Sequence, residues 1–87
     1  MLMPERFVIH LPVTAADPIA AARLARVLAR WASILPATDP GETTVSYEDE
    51  QGVRRRVFCD ARMPGGRRCL LRLDHDGPCA RRLTARR

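Results

Sequence analysis

The first regular pattern of hydrophobic and polar positions lies near the N-terminus, in the sequence RFVIHLPV. Successive side chains of a strand point to opposite faces, so Phe7, Ile9 and Leu11 would share one face. This alternation predicts a strand over residues 6–11. Because proline cannot donate a ladder hydrogen bond, we expect the strand to lie at a sheet edge or to end near Pro12.

A helical period follows, in the sequence ADPIAAARLARVLARWASILP. Asp17 can cap the helix N-terminus, and Pro18 suits the first helical position because its missing N–H would have no intrahelical partner there. The residue before Pro36 is driven out of helical geometry, so we expect the helix to end near Leu35. The face predicted to meet the core comprises Ala20, Leu24, Val27, Leu28, Trp31 and Leu35.

Three arginines lie on another face of the same predicted helix. Arg23, Arg26 and Arg30 fall within an arc of about 60° at 3.6 residues per turn. We interpret this stripe as a solvated helix surface, and Trp31 as a core residue. The three charges also exclude a membrane span over residues 19–35, which is the longest apolar segment of the chain.

A β-hairpin is predicted after the loop ATDPGE, in the sequence TTVSYEDEQGVRRRVF. Its strands would cover residues 43–48 and 53–58, joined by a turn over residues 49–52. Val45 and Tyr47 would face the core on the first strand. On the second strand, either Val53 and Val57 or Phe58 would face the core.

The order strand, helix, strand, strand predicts a small α+β fold, a βαββ unit with one amphipathic helix on a short sheet. A chain of 87 residues makes one domain with a thin core, a size at which a structural metal often adds stability. We expect a single domain over residues 1–79. Residues 1–58 would form the strand–helix–hairpin, residues 59–79 a metal-binding segment, and residues 80–87 a basic, flexible tail.

All three cysteines and one of the two histidines lie in the segment CDARMPGGRRCLLRLDHDGPC, with the spacing Cys-x9-Cys-x5-His-x3-Cys. Thiolate and imidazole are the ligands that zinc prefers, usually four in a tetrahedron. Turns rich in glycine and proline separate the four side chains and can bring them to one point. The sequence therefore predicts a closed, zinc-finger-like CCHC site with the ligands Cys59, Cys69, His75 and Cys79.

Other interpretations of these residues stay open. The cysteines could be small buried hydrophobic residues, or a disulfide and one free thiol. A Cys–His pair beside Asp74 could form a nucleophile and base. However, the chain has no phosphate-binding glycine loop and little room for a cleft, so we expect neither an enzyme nor a small-molecule substrate. The odd thiol count and the lack of a signal-peptide cleavage site favour a reducing cytoplasm.

The letters RCL at positions 68–70 and HDGP at positions 75–78 resemble a motif of small, mostly uncharacterised actinobacterial and actinobacteriophage proteins, Cys…Cys-Leu…His-x-Gly-Pro-His. The resemblance covers only residues 59–79, and Cys79 stands where the motif has its final histidine. Cysteine is also a competent ligand, so the resemblance implies a zinc site, although it implies no established activity. The ligand spacing is also similar to that of CCCH-type zinc fingers, with the last two ligand types exchanged. The use of Arg for all fifteen basic residues is typical of a GC-rich genome.

Positive charge is concentrated in the cysteine half. Residues 1–50 carry four Arg against seven acidic residues, a net charge of −3, whereas residues 51–87 carry eleven Arg against three, a net charge of +8. A basic half indicates an acidic partner, and guanidinium groups pair phosphates bidentately. The residues predicted to contact nucleic acid are Arg54, Arg56, Arg62, Arg67, Arg68 and Arg72.

Two functions fit this charge distribution. The first is a nucleic-acid-binding or regulatory accessory protein of an actinobacterium or its phage, binding without sequence preference because no aromatic residue lies within residues 59–79 to stack on bases. The alternative is a protein–protein adaptor with a purely structural zinc, such as a phage or mobile-element protein that acts on an acidic surface of a host partner. The strand edge or the helix would then dock the partner.

Overall fold

Residues 4–81 are described by a computed structural model. Helix α1 spans Pro18–Ala32, and the strands β1 (Thr44–Val45) and β2 (Arg55–Arg56) form a two-stranded antiparallel sheet, with Thr44 opposite Arg56. Single 3-10 turns lie at Pro40–Glu42, Glu48–Glu50 and Pro64–Gly66. One helix and one antiparallel sheet confirm the predicted α+β class.

The start of α1 is as predicted and its end comes earlier. The carboxylate of Asp17 accepts a hydrogen bond from the backbone N–H of Ala20 at 2.8 Å. The helix ends at Ala32 instead of near Leu35. The Thr38 hydroxyl lies 3.0 Å from the carbonyl oxygen of Ala32 and 2.9 Å from that of Leu35. It thereby satisfies backbone acceptors that the end of the helix leaves free.

The face of α1 that meets the core consists of small residues, so the predicted core face is wrong. Ala22, Ala25 and Ala29 pack into the core cluster, whereas Trp31 is 74% exposed and Val27 is half-exposed. At 100° per residue the centres of the alanine face and of the predicted face lie about 140° apart. Alanine side chains let the helix backbone approach its neighbour closely. The remaining members of the core cluster are Val57, Phe58 and Leu70.

Two of the three arginines predicted to form a solvated stripe contact the core instead. Arg26 donates a hydrogen bond to the carbonyl of Val57 at 3.4 Å, and Arg30 donates to the carbonyl of Leu70. The Arg30 guanidinium also lies 5.6 Å from the centroid of the core phenylalanine ring, within cation–π range. Only Arg23 is exposed as predicted.

Residues 4–15 form neither helix nor strand, so the strand predicted over residues 6–11 is not formed in the described structure. Arg6 makes ion pairs with Asp39 at 2.7 Å and Glu42 at 3.1 Å, which hold the segment near the loop after α1. The short sheet of β1 and β2 does not extend to these residues. Without a neighbouring ladder, alternation alone does not make a strand.

The predicted hairpin is present but much shorter than residues 43–58. Val45 packs against the core as predicted, whereas Tyr47 and Val53 are about half-exposed. Val57 and Phe58 are both buried although they are consecutive. A regular strand cannot bury two adjacent side chains on one face, so the chain leaves regular strand geometry after β2.

Candidate metal centre

A second, irregular hairpin carries the first two candidate ligands. Antiparallel bridges join Phe58 to Arg72 and Arg62 to Arg68. The chain reverses at Pro64–Gly66, whose two glycines have φ angles of 87° and 80°. Glycine adopts this left-handed region without steric cost, which explains why the turn forms here. The predicted turn thus returns the second cysteine towards the first.

An irregular stretch of this hairpin sets the two cysteines beside each other. The N–H of Cys59 donates to the carbonyl of Leu71 at 2.8 Å, and the N–H of Asp60 donates to the carbonyl of Cys69 at 3.0 Å. The N–H of Cys69 then donates to the carbonyl of Ala61 at 2.9 Å. The bridges on either side keep one register, so neither strand carries an extra residue. The irregularity is local to Asp60, which takes a left-handed φ of 57°.

The turn after this hairpin supplies the other two candidate ligands. The N–H of His75 donates to the carbonyl of Arg72 at 3.2 Å, which closes a tight turn. The N–H of Leu70 donates to the carbonyl of Ala80 at 2.8 Å. This bond fixes the chain next to Cys79 against the hairpin, so both late ligands lie close to the first two.

The four donor atoms have the separations of a single tetrahedral site. All lie within 4.8 Å of one another. The Sγ atoms of Cys59 and Cys79 are 3.9 Å apart, and His75 Nε2 lies 3.5 Å from Cys69 Sγ and 3.9 Å from Cys79 Sγ. Zn–S bonds of about 2.3 Å and Zn–N bonds of about 2.05 Å at the tetrahedral angle require S···S of about 3.8 Å and S···N of about 3.6 Å. Cys59, Cys69, His75 and Cys79 are therefore positioned to hold a metal ion, consistent with zinc.

The disulfide interpretation does not fit these distances. All three cysteines are free thiols, and 3.9 Å between the sulfurs of Cys59 and Cys79 is far beyond the S–S bond length of about 2.05 Å. Cys69 is fully buried, as a small hydrophobic residue would be, but Cys59 is half-buried and Cys79 exposed. The interpretation as small buried hydrophobic residues therefore fits Cys69 alone.

The histidine is oriented for ligation through one nitrogen. His75 Nδ1 lies 3.2 Å from the carbonyl oxygen of Asp76. An Nδ1–H donated to this carbonyl places the lone pair on Nε2, which is the nitrogen that faces the thiols. Metal-bound histidines typically donate their other ring N–H in this way. The ring therefore presents its acceptor nitrogen to the three sulfurs.

The thiols of the metal-free site differ in acidity. The pKa of Cys59 is lowered to about 7 because the Ala61 N–H donates to its sulfur, and His75 adds a second hydrogen bond. The hydrogen bond to Cys59 in turn raises the pKa of His75. The pKa of Cys79 is raised to about 11, mainly by its hydrogen bond with Cys69 and then by burial. A metal ion needs thiolates, so it must displace protons from this site.

The arginines predicted to contact nucleic acid are dispersed and partly paired with acids. Arg56 and Arg68 flank the carboxylate of Asp60 at 4.0 Å and 3.8 Å, and Arg72 lies 3.7 Å from Asp74. The other predicted residues, Arg54, Arg62 and Arg67, are exposed. Of the six, Arg56 and Arg72 line one cavity and Arg68 lines another.

A different group of four arginines converges on one cavity of about 300 Å³. Arg23 and Arg26 reach it from α1, Arg56 from β2 and Arg72 from the second hairpin, and among the described residues a single carboxylate, Asp74, lines it. The pKa of the Arg26 guanidinium is lowered, first by burial and then by the neighbouring arginine charges. We call these four residues the arginine cluster.

Sequence reasoning missed half of the arginine cluster because it assigned Arg23 and Arg26 to a solvated stripe. The available signal was the alanines beside them on the helix. A helix face of alanine and arginine has little apolar side-chain volume to form a core. Its small alanine side chains, however, let another segment of the protein pack closely enough for the guanidinium groups to contact that segment.

Among residues 4–81, no helix has the length and apolar character needed to cross a membrane. No protein-family model, no curated protein and no solved structure matches the chain. The resemblance of residues 59–79 to actinobacterial and phage proteins therefore stays a prediction. The case for metal binding depends on the donor types and their distances.

Proposed function

We propose that this chain is a zinc-stabilised module that binds nucleic acid through arginine–phosphate contacts. The observation that carries the proposal is the arginine cluster, in which four guanidinium groups surround one cavity with one carboxylate among its lining residues. Its place would be the reducing cytoplasm of an actinobacterium or its phage, as a regulatory accessory protein.

Zinc fits the donor set better than other common metals. Three thiolates and one imidazole are soft or borderline ligands, which hard cations such as Mg²⁺ and Ca²⁺ do not select. Four protein ligands fill a tetrahedron and leave no position for a reactive water. The metal would therefore be structural, which argues against catalysis at this site.

Phosphate fits the arginine cluster because the cluster holds unbalanced positive charge. Four arginines and one aspartate give the cavity lining a net charge of +3. Burial and like charges oppose the charged form of Arg26, and a bound anion would relieve both effects. Guanidinium groups pair with phosphate oxygens bidentately. Contacts of this kind position a nucleic acid but read no bases, so we expect binding without sequence preference.

The test is fluorescence anisotropy with random-sequence DNA and RNA over a range of salt concentrations. The zinc-loaded protein is compared with the double variant Arg23→Gln/Arg72→Gln. A matched control, Arg54→Gln/Arg62→Gln, makes the same change of net charge outside the cluster. If each cluster arginine contacts one phosphate, the first variant lowers the salt slope by about 2 and weakens binding at low salt by about tenfold or more.

Two outcomes would reject parts of the proposal. Equal weakening by both variants shows diffuse attraction and removes the special role of the cluster. No binding of the unmodified protein at low salt removes nucleic acid altogether and favours the adaptor function. That second function has its own support in the exposed apolar side chains at the end of α1 and just beyond it, where Trp31 is 74% and Ile34 is 83% exposed.

A further inference from the structure

Residues 7–13, called here the N-terminal segment, are mostly apolar, and they lie exposed outside any helix or strand. Phe7 is 82% exposed and Ile9 is 90% exposed. Within residues 4–81, none of the backbone N–H or C=O groups of this segment makes a backbone hydrogen bond. The segment therefore combines an alternating apolar pattern with a free hydrogen-bonding edge, a combination that favours pairing with another strand.

A second apolar surface lies on the last turns of α1 and on the residues that follow the helix. It comprises the exposed side chains Val27 and Trp31 of α1 with Ile34 and Leu35 beyond its end, and we call it the exposed helix face. Monomeric proteins seldom leave contiguous apolar patches of this kind uncovered. The apolar side chains that the same helix contributes to the core cluster are alanines, whereas the larger Val27 and Trp31 are exposed on its other side.

We propose that two copies of this chain associate by antiparallel pairing of their N-terminal segments about a two-fold axis, and that the dimer covers the exposed helix faces. An antiparallel pair of identical strands is self-complementary, since each copy supplies the same donors and acceptors to the other. The pairing would form the strand that the alternation of residues 6–11 predicts and a single chain lacks.

Charge favours a second copy as the occupant. The N-terminal segment contains no Asp, Glu, Lys or Arg, so identical segments can approach at a symmetry axis without like-charge repulsion. The flanking Arg6 is already paired with two carboxylates of its own chain. A partner of strong positive or negative charge would find no counter-charge on this segment.

The available area is comparable to that of a stable dimer interface. Taking about 150–250 Å² for each of the two aromatic side chains and about 60–120 Å² for each aliphatic one, the exposed parts of the N-terminal segment and the exposed helix face present an apolar area of roughly 500–900 Å² per chain. A standard stable interface buries about 800 Å² on each partner. The proposal is independent of nucleic acid and goes beyond the proposed function.

The test is sedimentation equilibrium of the full, zinc-loaded chain in reducing buffer at high salt, where nucleic acid dissociates. We expect a mass that rises with concentration to twice the 9.8 kDa of the chain. Ile9→Asp places a charge in the paired segment and should weaken dimerisation by about tenfold or more. Val53→Asp is the matched control, because Val53 is also exposed, at 54%, but lies outside both surfaces.

Hydrogen exchange of the unmodified protein gives a second measurement that does not depend on a variant. The amides of residues 7–13 should gain protection as the protein concentration rises. A chain that stays monomeric at all concentrations overturns the proposal. So does a dimer in which these amides exchange freely, or a dimer that Ile9→Asp and Val53→Asp weaken equally.

Discussion

The N-terminal half and the cysteine half of this chain relate hydrophobicity to burial in opposite ways. Residues 7–35 contain ten of the thirteen large hydrophobic side chains that are exposed among the described residues. Residues 57–71 contain five of the six buried hydrophobic residues, although this stretch is rich in arginine and glycine. The core therefore lies where backbone hydrogen bonds join distant parts of the chain, and not where the sequence is most apolar.

The difference shows that a hydrophobic side chain is buried only when the backbone around it has a fixed partner. The second hairpin has such partners, since backbone hydrogen bonds join its strands and four donor atoms converge on its end. The N-terminal segment is held by the ion pairs of Arg6 at one end and by α1 at the other. Ordering it against α1 would cost conformational entropy that no described hydrogen bond offsets.

Removing the metal is the most severe test of this comparison. The buried residues Val57, Phe58 and Leu70 belong to the hairpin that the metal would close, and α1 packs on them. Structural zinc contributes about 10–16 kcal/mol of apparent binding energy in zinc-finger peptides, which is comparable to or larger than the 5–15 kcal/mol stability of a whole domain. We expect chelation to abolish amide protection in both the hairpin and α1. Hydrogen exchange before and after chelation measures this.

Cys69→Ser should have the same effect, and its zinc content gives the stoichiometry. The unmodified chain is expected to carry one zinc per chain by elemental analysis, and the variant much less. If α1 keeps its protection after complete metal removal, the core does not depend on the site. The difference in hydrophobic burial between the two halves would then need a different explanation.

Two aromatic side chains give the next largest contrast. Phe58 is fully buried and Trp31 is 74% exposed. We expect Phe58→Ala to lower the free energy of unfolding by about 3–5 kcal/mol, and Trp31→Ala by about 0.5 kcal/mol or less. Urea unfolding of the zinc-loaded protein at low concentration, where monomers dominate, measures both values. Equal losses would show that Trp31 belongs to the core, as its helical spacing predicts.

The features that could be predicted from the sequence depend on neighbours in the chain. The Asp17 cap, the glycine turn at Pro64–Gly66 and the convergence of the ligands follow from local backbone preferences and from metal-ligand spacing. Each requires information from only a few residues at a time. The observed hairpin, although shorter, also lies within the predicted residues 43–58, because turn residues are local signals.

The features that could not be predicted depend on which distant surfaces meet. Helical periodicity identifies the two faces of α1, but it assigns the core to the larger side chains by default. Here Ala29 is buried and Trp31 is not, because the hairpin offers carbonyls to Arg26 and Arg30 and a close contact to alanine. The left-handed φ of Asp60 could not be predicted either, since it is set by pairing across the hairpin.

Lowering the pH is the mildest of these perturbations. It also distinguishes His75, a candidate ligand, from His10, which lies outside the site. Cys79, with its pKa raised to about 11, is a thiol throughout the neutral range, so binding zinc releases its proton. Cys59, with its pKa lowered to about 7, adds a second proton only below that pH. The raised pKa of His75 makes its protonation begin at a higher pH than that of an ordinary histidine. All three effects have the same sign, because protons and zinc compete for the same atoms.

Zinc affinity should therefore fall as pH falls, by at least about tenfold per pH unit above neutrality and more steeply below it. Competition with a chromophoric chelator at a series of pH values measures this curve. His10→Ala is the control, since His10 lies outside the site and its removal should leave the curve unchanged. His75→Ala should weaken zinc binding and remove part of the steepening on the acid side. A curve of constant slope across neutrality would contradict the separation of the Cys59 and Cys79 pKa values, and with it the assignment of Cys59 as the thiol whose pKa the Ala61 N–H lowers.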